Sequence, residues 1–582
     1  MSKYNKDKIN KQALILEFWL KRQFNYNNLT GGFILLGGGA YKWNTLEHNG
    51  VYFPPLYKPH GKPLKYKDPN MNNLIEIKLE PLAEEYAMLY AKYVNSEYAE
   101  SKTFNRNFWN DWKKVLGKNS PIQSLESCDF TEYKEILEQN KLKKKEEKEE
   151  LNGKKEELSE KSDTEDKEID KDAIYKTAIV DGKTQPVGNF RMEPPGIFLG
   201  RGDNPKLGKI KQYIYPEDIT INIGKESVIP KLPDFLSSHK WGKIIHDRKV
   251  EWLASWRDDI TGKTKYLWLG AQSDFKANSD RDKFDLARKL KRKIETIRKE
   301  NEKKLYSMDV KERQVATAFY FIDNFALRVG NEKGSDETDT VGVTSLRVEH
   351  VEMLGDNTIA LDFLGKDSVR YYNKLKVDSK IYENILKFIE GKEKHEDIFN
   401  FITSSDINKY LQTFMKDLTA KVFRTYNASY LFQKELNKIN KKYEGSTDIV
   451  LLLDEFNKAN AKVAQLCNHQ KNVGKSFKTQ VDKIDEQIKK IRSKLRKARE
   501  GGKSKEEKVK ELEYKMTKLK SKKELKVELK NISLGTSKSN YIDPRITVAF
   551  LKLHSLPVEK VFSTALRDKF KWAFEVESDY KF

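Results

Sequence analysis

The chain of 582 residues is poor in cysteine: Cys128 and Cys467 are its only two, and they stand far apart. Neither a disulfide framework nor a cysteine-based zinc site can be built from them, and a reducing compartment is expected. Long apolar runs are missing as well. The stretch 13–20 is eight residues long and contains Glu17, too short to span a bilayer and too acidic for a signal peptide, so the reading is a soluble intracellular protein with no membrane partner. A nucleotide-phosphate loop is also lacking. Gly474-Lys475-Ser476 resembles the end of one, but the first glycine of that pattern falls on His469, so an ATPase is excluded. Carboxylates are not grouped for a metal: Asp336 and Asp339 lie in a polar loop without a third acid, and neither metal nor cofactor is expected.

Charge is abundant. Charged residues make up 34% of the chain and mean hydropathy is −0.77, yet 38% is hydrophobic and 11% aromatic, the composition of a very polar globular protein with solvated segments attached. At roughly 150 residues per domain the length fits three to four domains. Lys and Arg total 110 against 88 acids, a net charge of +22. An excess of this size commonly neutralises phosphates on nucleic acid or anionic lipid, and less often serves plain solubility alone.

Residues 1–40 form an extension with its own glycine-rich run at 31–39. Residues 41–140 carry Phe53-Pro54-Pro55-Leu56-Tyr57 and a helical stretch at 104–112, enough for a small core. From 141 to 172 there are 10 Lys and 13 Asp or Glu in 32 residues with no aromatic, a disordered or frayed helical insertion. Residues 173–274 read as β-rich, with Ile219-Thr220-Ile221-Asn222-Ile223 as the clearest strand. Residues 275–473 read mainly as helices. In one of them Val315, Phe319, Ile322, Ala326 and Val329 recur at spacings of three and four, with Gly330 as its stop. Within the same segment 359–363 and 369–371 flank Leu364-Gly365-Lys366-Asp367 as a hairpin with Lys366 in its turn.

Phe477, Val481, Ile484, Ile488, Ile491, Leu495 and Ala498 then step by fours and threes, Gly501-Gly502 interrupts, and Val509, Leu512, Met516 and Leu519 resume. Residues 474–530 are therefore expected to fold as an antiparallel coiled-coil hairpin. With 21 basic and 10 acidic residues it holds about half of the excess charge, either as a solvated exterior or as a surface that tracks DNA. Residues 531–582 form a short final unit with helices after Pro544 and near Pro557.

Five blocks gather the residues suited to phosphoryl chemistry: Arg328-Val329-Gly330-Asn331, Leu364-Gly365-Lys366-Asp367, Lys421-Val422-Phe423-Arg424, Asn468-His469-Gln470, and Gly535-Thr536-Ser537-Lys538-Ser539-Asn540-Tyr541. Transesterification at a phosphodiester passes through five-coordinate phosphorus with extra negative charge. Without a metal it needs fixed cations, a nucleophile and a proton donor for the leaving oxygen, and arginine supplies permanent forked donors. Taken singly, each residue has an ordinary structural reading: surface arginines, a satisfied histidine, a solvated turn lysine, a tyrosine at a helix start.

The order Arg, Lys, Arg, His, Tyr with these flanks closely resembles the eukaryotic type IB DNA topoisomerases, from about residue 41 to 582 apart from the charged insertion and most of the coiled-coil sequence. The resemblance implies a multidomain α+β fold. Its parts would be a DNA clamp with a β-containing N-terminal cap, a mainly helical catalytic domain, an antiparallel coiled-coil linker and a small helical C-terminal domain. It implies Tyr541 as nucleophile forming a 3′-phosphotyrosine, Arg328, Arg424 and His469 holding the non-bridging oxygens, and Lys366 as general acid. Arg201 corresponds to a minor-groove contact, Asn331 and Thr536 to backbone-phosphate contacts, and Asp367 and Asn540 to residues lining the nick where intercalating inhibitors of the camptothecin type bind. The partner implied is duplex DNA, held by a monomer in the nucleus, with no ATP or metal required. Leu199 departs from the arginine that the family commonly has there, and 1–40 has no counterpart. Lys421, three residues before Arg424, stands where tyrosine recombinases commonly have histidine. A non-catalytic DNA clamp and a recombinase are the competing readings.

Overall fold

The computed structural model describes residues 41–67, 73–159, 172–331, 337–470, 473, 476–499 and 506–582. The expectations placed on 1–40, on the end of the charged insertion, on Asp336, on Gly474-Lys475 and on Gly501-Gly502 lie outside these residues. Helices and small sheets are mixed along the chain, as the α+β expectation requires.

Strand β1 (Leu46–His48) is followed by β2 (Leu64–Lys67), β3 (Leu74–Ile77), α1 (Pro81–Ala91), α2 (Lys102–Leu116), β4 (Cys128–Asp129) and α3 (Thr131–Ser159). The order β3-β2-β4 makes one antiparallel sheet. Helix α2 begins where the Ser101 hydroxyl accepts the Phe104 N–H. It buries Phe104, Phe108 and Trp112 at intervals of four, each ring worth about 2 to 3 kcal/mol of apolar burial. Their core also takes in Tyr90, Tyr133 and, from much later in the chain, Ile197 and Ile210. The charged insertion starts as a continuation of α3.

Beyond it come β5 (Thr177–Val180), β6 (Lys183–Pro186), β7 (Gly196–Ile197), β8 (Ile210–Lys211), β9 (Ile219–Asn222), β10 (Lys243–Ile245), β11 (Trp252–Arg257) and β12 (Thr264–Trp268). One sheet runs β10-β9-β11-β12, with β9 and β10 parallel and the other pairs antiparallel. Ile219, Ile221 and Ile223 alternate into its core with no exposure. That core also holds Trp43, Leu46, Val51 and Phe53, because β1 pairs antiparallel with β5, Leu46 opposite Val180. The two flanks of the charged segment thus share both cores.

The largest core is helical and runs from Ala287 to Phe582. It is built on α4 (Asp274–Lys291), α5 (Ile294–Lys304), α6 (Val310–Phe325), then β13 (Val351–Gly355), β14 (Thr358–Gly365) and β15 (Val369–Lys376), and α7 (Ser379–Ile389), α8 (Ser404–Gln412), α9 (Ala420–Lys442) and α10 (Ile449–Leu466). The expected hairpin is the pair β14–β15, and a third strand, β13, completes an antiparallel sheet. Helix α6 stops earlier than the apolar spacing predicts. It ends at Phe325, where Ala326 takes the left-handed conformation (φ 49°), while Val329 still packs against the core from the segment beyond. Gly330 has another role: it crosses Gly342 so closely that a Cβ on Gly342 would lie 2.5 Å from the Gly330 Cα.

Helices α11 (Phe477–Arg499) and α12 (Glu506–Glu528) pack along Leu495, Ala498 and Leu512. The ion pairs Arg499–Glu513 and Lys523–Asp485 set them antiparallel. Helix α12 also touches α10, the Tyr514 hydroxyl donating to Asp448 (3.3 Å) and the Ser521 hydroxyl to Asp454 (2.9 Å). The chain closes with α13 (Leu534–Asn540), α14 (Pro544–Leu553) and α15 (Thr564–Lys569). Among the described residues no helix is long and apolar enough to cross a membrane.

Candidate active site

Five candidate catalytic residues come from five different places in the chain: Arg328, Lys366 and Arg424 line one depression, and Arg424 and His469 lie against the Tyr541 ring. Arg328 stands two residues past the left-handed Ala326. Placing a non-glycine residue there costs about 1 kcal/mol. The Ala326 carbonyl in turn accepts a hydrogen bond from the Arg424 guanidinium. The segment carrying Arg328 is then pinned to its neighbour, Val343 N–H donating to the Arg328 carbonyl (2.9 Å) and Thr344 N–H to the Val329 carbonyl (2.7 Å).

Lys366 sits in the turn between β14 and β15, where Asp367 and Ser368 both have positive φ (68° and 57°), a conformation an aspartate tolerates better than most residues. The turn is exposed. Its frame is fixed from two sides: Val341 N–H donates to the Leu364 carbonyl (2.8 Å) and the Asn468 amide to the Arg370 carbonyl (3.4 Å). Lys366 lines one cavity together with Arg328, Arg424, Gly342, Cys467 and Asn468.

Arg424 lies on the inner face of α9 and is only 4% exposed. Its terminal nitrogens reach the carbonyls of Ala326 and of Cys467 (3.0 Å for the latter), while its Nε is buried without a partner. No carboxylate of the described residues pairs with it. A buried guanidinium held only by neutral carbonyls is poorly compensated, and an anion that enters gains what the protein leaves unmet. Arg328 is held below its ordinary pKa by burial and by the Arg424 charge.

His469 follows α10 and is 5% exposed. Burial first, and the Arg424 and Arg328 charges second, push its pKa down to about 3, so the ring is neutral at physiological pH. Its Nδ1 lies 2.8 Å from the Ser537 hydroxyl, and its Nε2 is buried with no partner. The ring stands 4.9 Å from that of Tyr541, and the Arg424 guanidinium lies 5.2 Å from the same tyrosine ring.

Tyr541 ends α13 rather than starting the next helix; Asp543 is the cap of α14, accepting the Arg545 N–H. The fully buried Ser429 of α9 fixes the turn between them. Its hydroxyl donates to the Tyr541 carbonyl (3.1 Å) and accepts the Asp543 N–H (3.0 Å). Helix α13 is itself tied to the end of α10, Ser533 N–H donating to the His469 carbonyl (2.8 Å).

The second group of candidates is more dispersed. Arg201 and Asp367 form an exposed ion pair, a partnership that the sequence does not announce. Beside them the Thr338 hydroxyl donates to the Arg201 carbonyl (3.2 Å) and the Asn204 amide donates to the Thr338 hydroxyl (3.0 Å), so the 200–204 loop meets the segment leading to β13. Thr536 is half-buried beside Ser533, their hydroxyls 3.1 Å apart, and exposed Asn540 donates to the Thr536 carbonyl (3.3 Å). Asn331 is exposed at the edge of the described segment. Asp339 is engaged by Arg347 (2.7 Å), and among the described residues no group of three His, Cys, Asp or Glu is placed to hold a metal. Sequence reasoning passed over Ser429, Ser537 and Thr338. Only Ser537, four residues before Tyr541 inside a quoted block, carried any signal.

With that geometry in place, three family models match the chain: "Eukaryotic DNA topoisomerase I, DNA binding fragment" over residues 41–269, "Eukaryotic DNA topoisomerase I, catalytic core" over 272–501, and "C-terminal topoisomerase domain" over 513–582. DNA topoisomerase 1 beta of Arabidopsis thaliana is 41% identical over 94% of this chain and 60% of its own length. DNA topoisomerase 1 of Caenorhabditis elegans is 41% identical over 92% and 67%, and that of Homo sapiens 39% identical over 93% and 72%. The chain thus spans 60% of the length of the two Arabidopsis relatives, the beta and the alpha protein.

Proposed function

The chain belongs to the eukaryotic DNA topoisomerase I family, and from that premise we propose that it relaxes supercoiled duplex DNA by transient cleavage of one strand. The observation that carries the reading is the pair of buried nitrogens without partners, Arg424 Nε and His469 Nε2, beside the Tyr541 ring, with Arg328 and Lys366 on the cavity that Arg424 lines.

In this reaction the Tyr541 oxygen gives its proton to solvent water and attacks a phosphodiester phosphorus. A bond forms from that oxygen to phosphorus, and the bond to the 5′ oxygen breaks. Lys366 gives the departing oxygen its proton, and the 3′ end remains on the tyrosine. Arg328, Arg424 and the neutral His469 donate to the non-bridging oxygens, where negative charge grows in the transition state. Donors already fixed in a poorly hydrated site need no rearrangement at that moment. The free end swivels, and attack by the 5′ hydroxyl reverses each step. Bond energy is conserved throughout, so the reaction requires neither ATP nor a metal.

Around this centre the N-terminal cores and the catalytic core form a clamp on duplex DNA, with Arg201, Asn331 and Thr536 on the DNA and the α11–α12 coiled coil as linker to a small C-terminal domain bearing Tyr541. A single copy acts in the nucleus. Planar inhibitors of the camptothecin type lodge at the nick beside Asp367 and Asn540. Contacts of this kind go mostly to the backbone, so binding weakens steeply with salt.

The test is relaxation of supercoiled plasmid by the purified protein in EDTA without ATP, next to Tyr541→Phe. Wild type is expected to remove positive and negative supercoils and to yield protein covalently attached to DNA; the variant does neither and still binds. Covalent attachment in the variant overturns the assignment of Tyr541.

A further inference from the structure

Ser537 makes no contact with solvent, and its place in α13 gives it two tasks at once. Its carbonyl accepts the N–H groups of Tyr541 and Ile542, each at 3.0 Å. Its hydroxyl meets His469 Nδ1 at 2.8 Å and has no other hydrogen-bond partner among the described residues. One residue therefore holds the tyrosine by its main chain and the imidazole by its side chain.

The direction of the hydroxyl–imidazole bond follows from satisfying both groups. A neutral imidazole has one N–H and one lone pair, and a hydroxyl can donate or accept. If Nδ1 carried the proton, the serine hydrogen would be left in a fully buried place without an acceptor, a loss of about 1 to 3 kcal/mol. If the hydroxyl donates, Nδ1 is the acceptor and the ring proton lies on Nε2. That nitrogen is the buried atom with no partner. Burial first, and the Arg424 and Arg328 charges second, keep the ring from taking a second proton, so its one proton must choose a position.

We propose that Ser537 is a positioning residue that fixes the His469 proton on Nε2, so that the imidazole presents a donor, and not a lone pair, to the phosphate. The proposal rests on the reading of His469 as a phosphate donor. Without the hydroxyl the ring is free to place its proton on Nδ1, and the lone pair then left on Nε2 repels a phosphate oxygen. The same bond ties donor orientation to the tyrosine, because both depend on one residue of a seven-residue helix.

Two measurements test it. In single-turnover cleavage, Ser537→Ala is expected to lose about 10- to 100-fold in rate, the usual scale for removing the group that orients a functional histidine, with affinity for uncleaved duplex unchanged. Ser537→Thr, which keeps the hydroxyl, recovers most of the rate. In a His469→Ala background the serine substitution has less than a two-fold effect. Equal losses in both backgrounds mean that Ser537 only supports the fold, and they overturn the proposal. Nitrogen NMR of histidine-labelled protein, with the His469 signal identified by its loss in His469→Ala, is expected to show Nε2 protonated and Nδ1 bare in wild type and a mixture of tautomers in Ser537→Ala. A proton on Nδ1 in wild type refutes it directly. Should wild type form no covalent complex with DNA, the functional reading of the site fails, and the NMR result alone decides the role of Ser537.

Discussion

His48, in the sheet-rich N-terminal half, and His469, at the end of α10, are both buried and both held well below the ordinary histidine pKa, at about 4 and about 3, chiefly by desolvation. Their partners differ. His48 Nδ1 accepts the Gly50 N–H (3.0 Å) and its Nε2 donates to the Asn222 carbonyl (2.9 Å), so each nitrogen is satisfied by backbone. His469 has one nitrogen satisfied and one with nothing to bind. The same contrast separates Glu84 from Arg424. The Glu84 carboxylate, 1% exposed, takes the Tyr57 hydroxyl and the N–H groups of His60 and Gly61, whereas the Arg424 guanidinium keeps an idle Nε. Buried polar atoms without partners occur elsewhere too, as at Arg313 Nε and Asn384 Oδ1, but beside Tyr541 two such nitrogens, Arg424 Nε and His469 Nε2, fall in one place, as a site built around something else's charge requires.

Arg424→Ala is expected to slow single-turnover cleavage by about 100- to 1,000-fold, the scale for losing one preorganised donor to a growing negative charge, while binding of uncleaved duplex falls far less. Loss of binding in equal proportion would show that Arg424 serves affinity rather than the transition state.

His48→Phe leaves the Gly50 N–H and the Asn222 carbonyl unpaired, and urea unfolding should show a loss of about 1 to 3 kcal/mol with no change in cleavage by the folded protein. The pH dependence has a definite sign. An imidazole whose pKa is lower folded than unfolded binds protons preferentially in the unfolded chain, so its contribution is complete above about 6.5 and is lost as pH falls toward 4. By pH 5 the loss at His48 amounts to about 2 kcal/mol, and the variant should show a correspondingly flatter acid limb. An unchanged acid limb removes His48 as the cause.

The smallest effect belongs to the exposed pair Arg201–Asp367. Asp367→Asn is expected to shift stability by less than about 1 kcal/mol, as exposed ion pairs do; a larger shift in thermal unfolding would make the pair a structural clasp.

Periodic signals were legible in the sequence because they are local. The heptads of α11 and α12, the turn holding Lys366 and the strand at Ile219 each declare themselves within a few residues, and the order of the five catalytic candidates could be read from their flanks. Signals that depend on distant chain could not. Helix α6 was expected to reach Val329, but the Arg424 bond to the Ala326 carbonyl and the crossing of Gly330 with Gly342 belong to a different, extended path for the segment bearing Arg328. Strand β13 exists because β14 lies beside it. The hydroxyl of Ser537 reads as one more polar residue until His469 is brought to it from 68 positions away, and Arg201 gives no hint of Asp367 until two cores place their loops together.

The sharing of both N-terminal cores across the charged segment bears on ancestry. Val51 and Phe53 share one core with Ile219 and Leu253, and Phe104 shares another with Ile197 and Ile210, so the two flanks are registered by their own packing and not by the peptide that joins them. A lineage is thereby free to lengthen, shorten or rewrite that joining peptide over generations without displacing a single side chain around Tyr541.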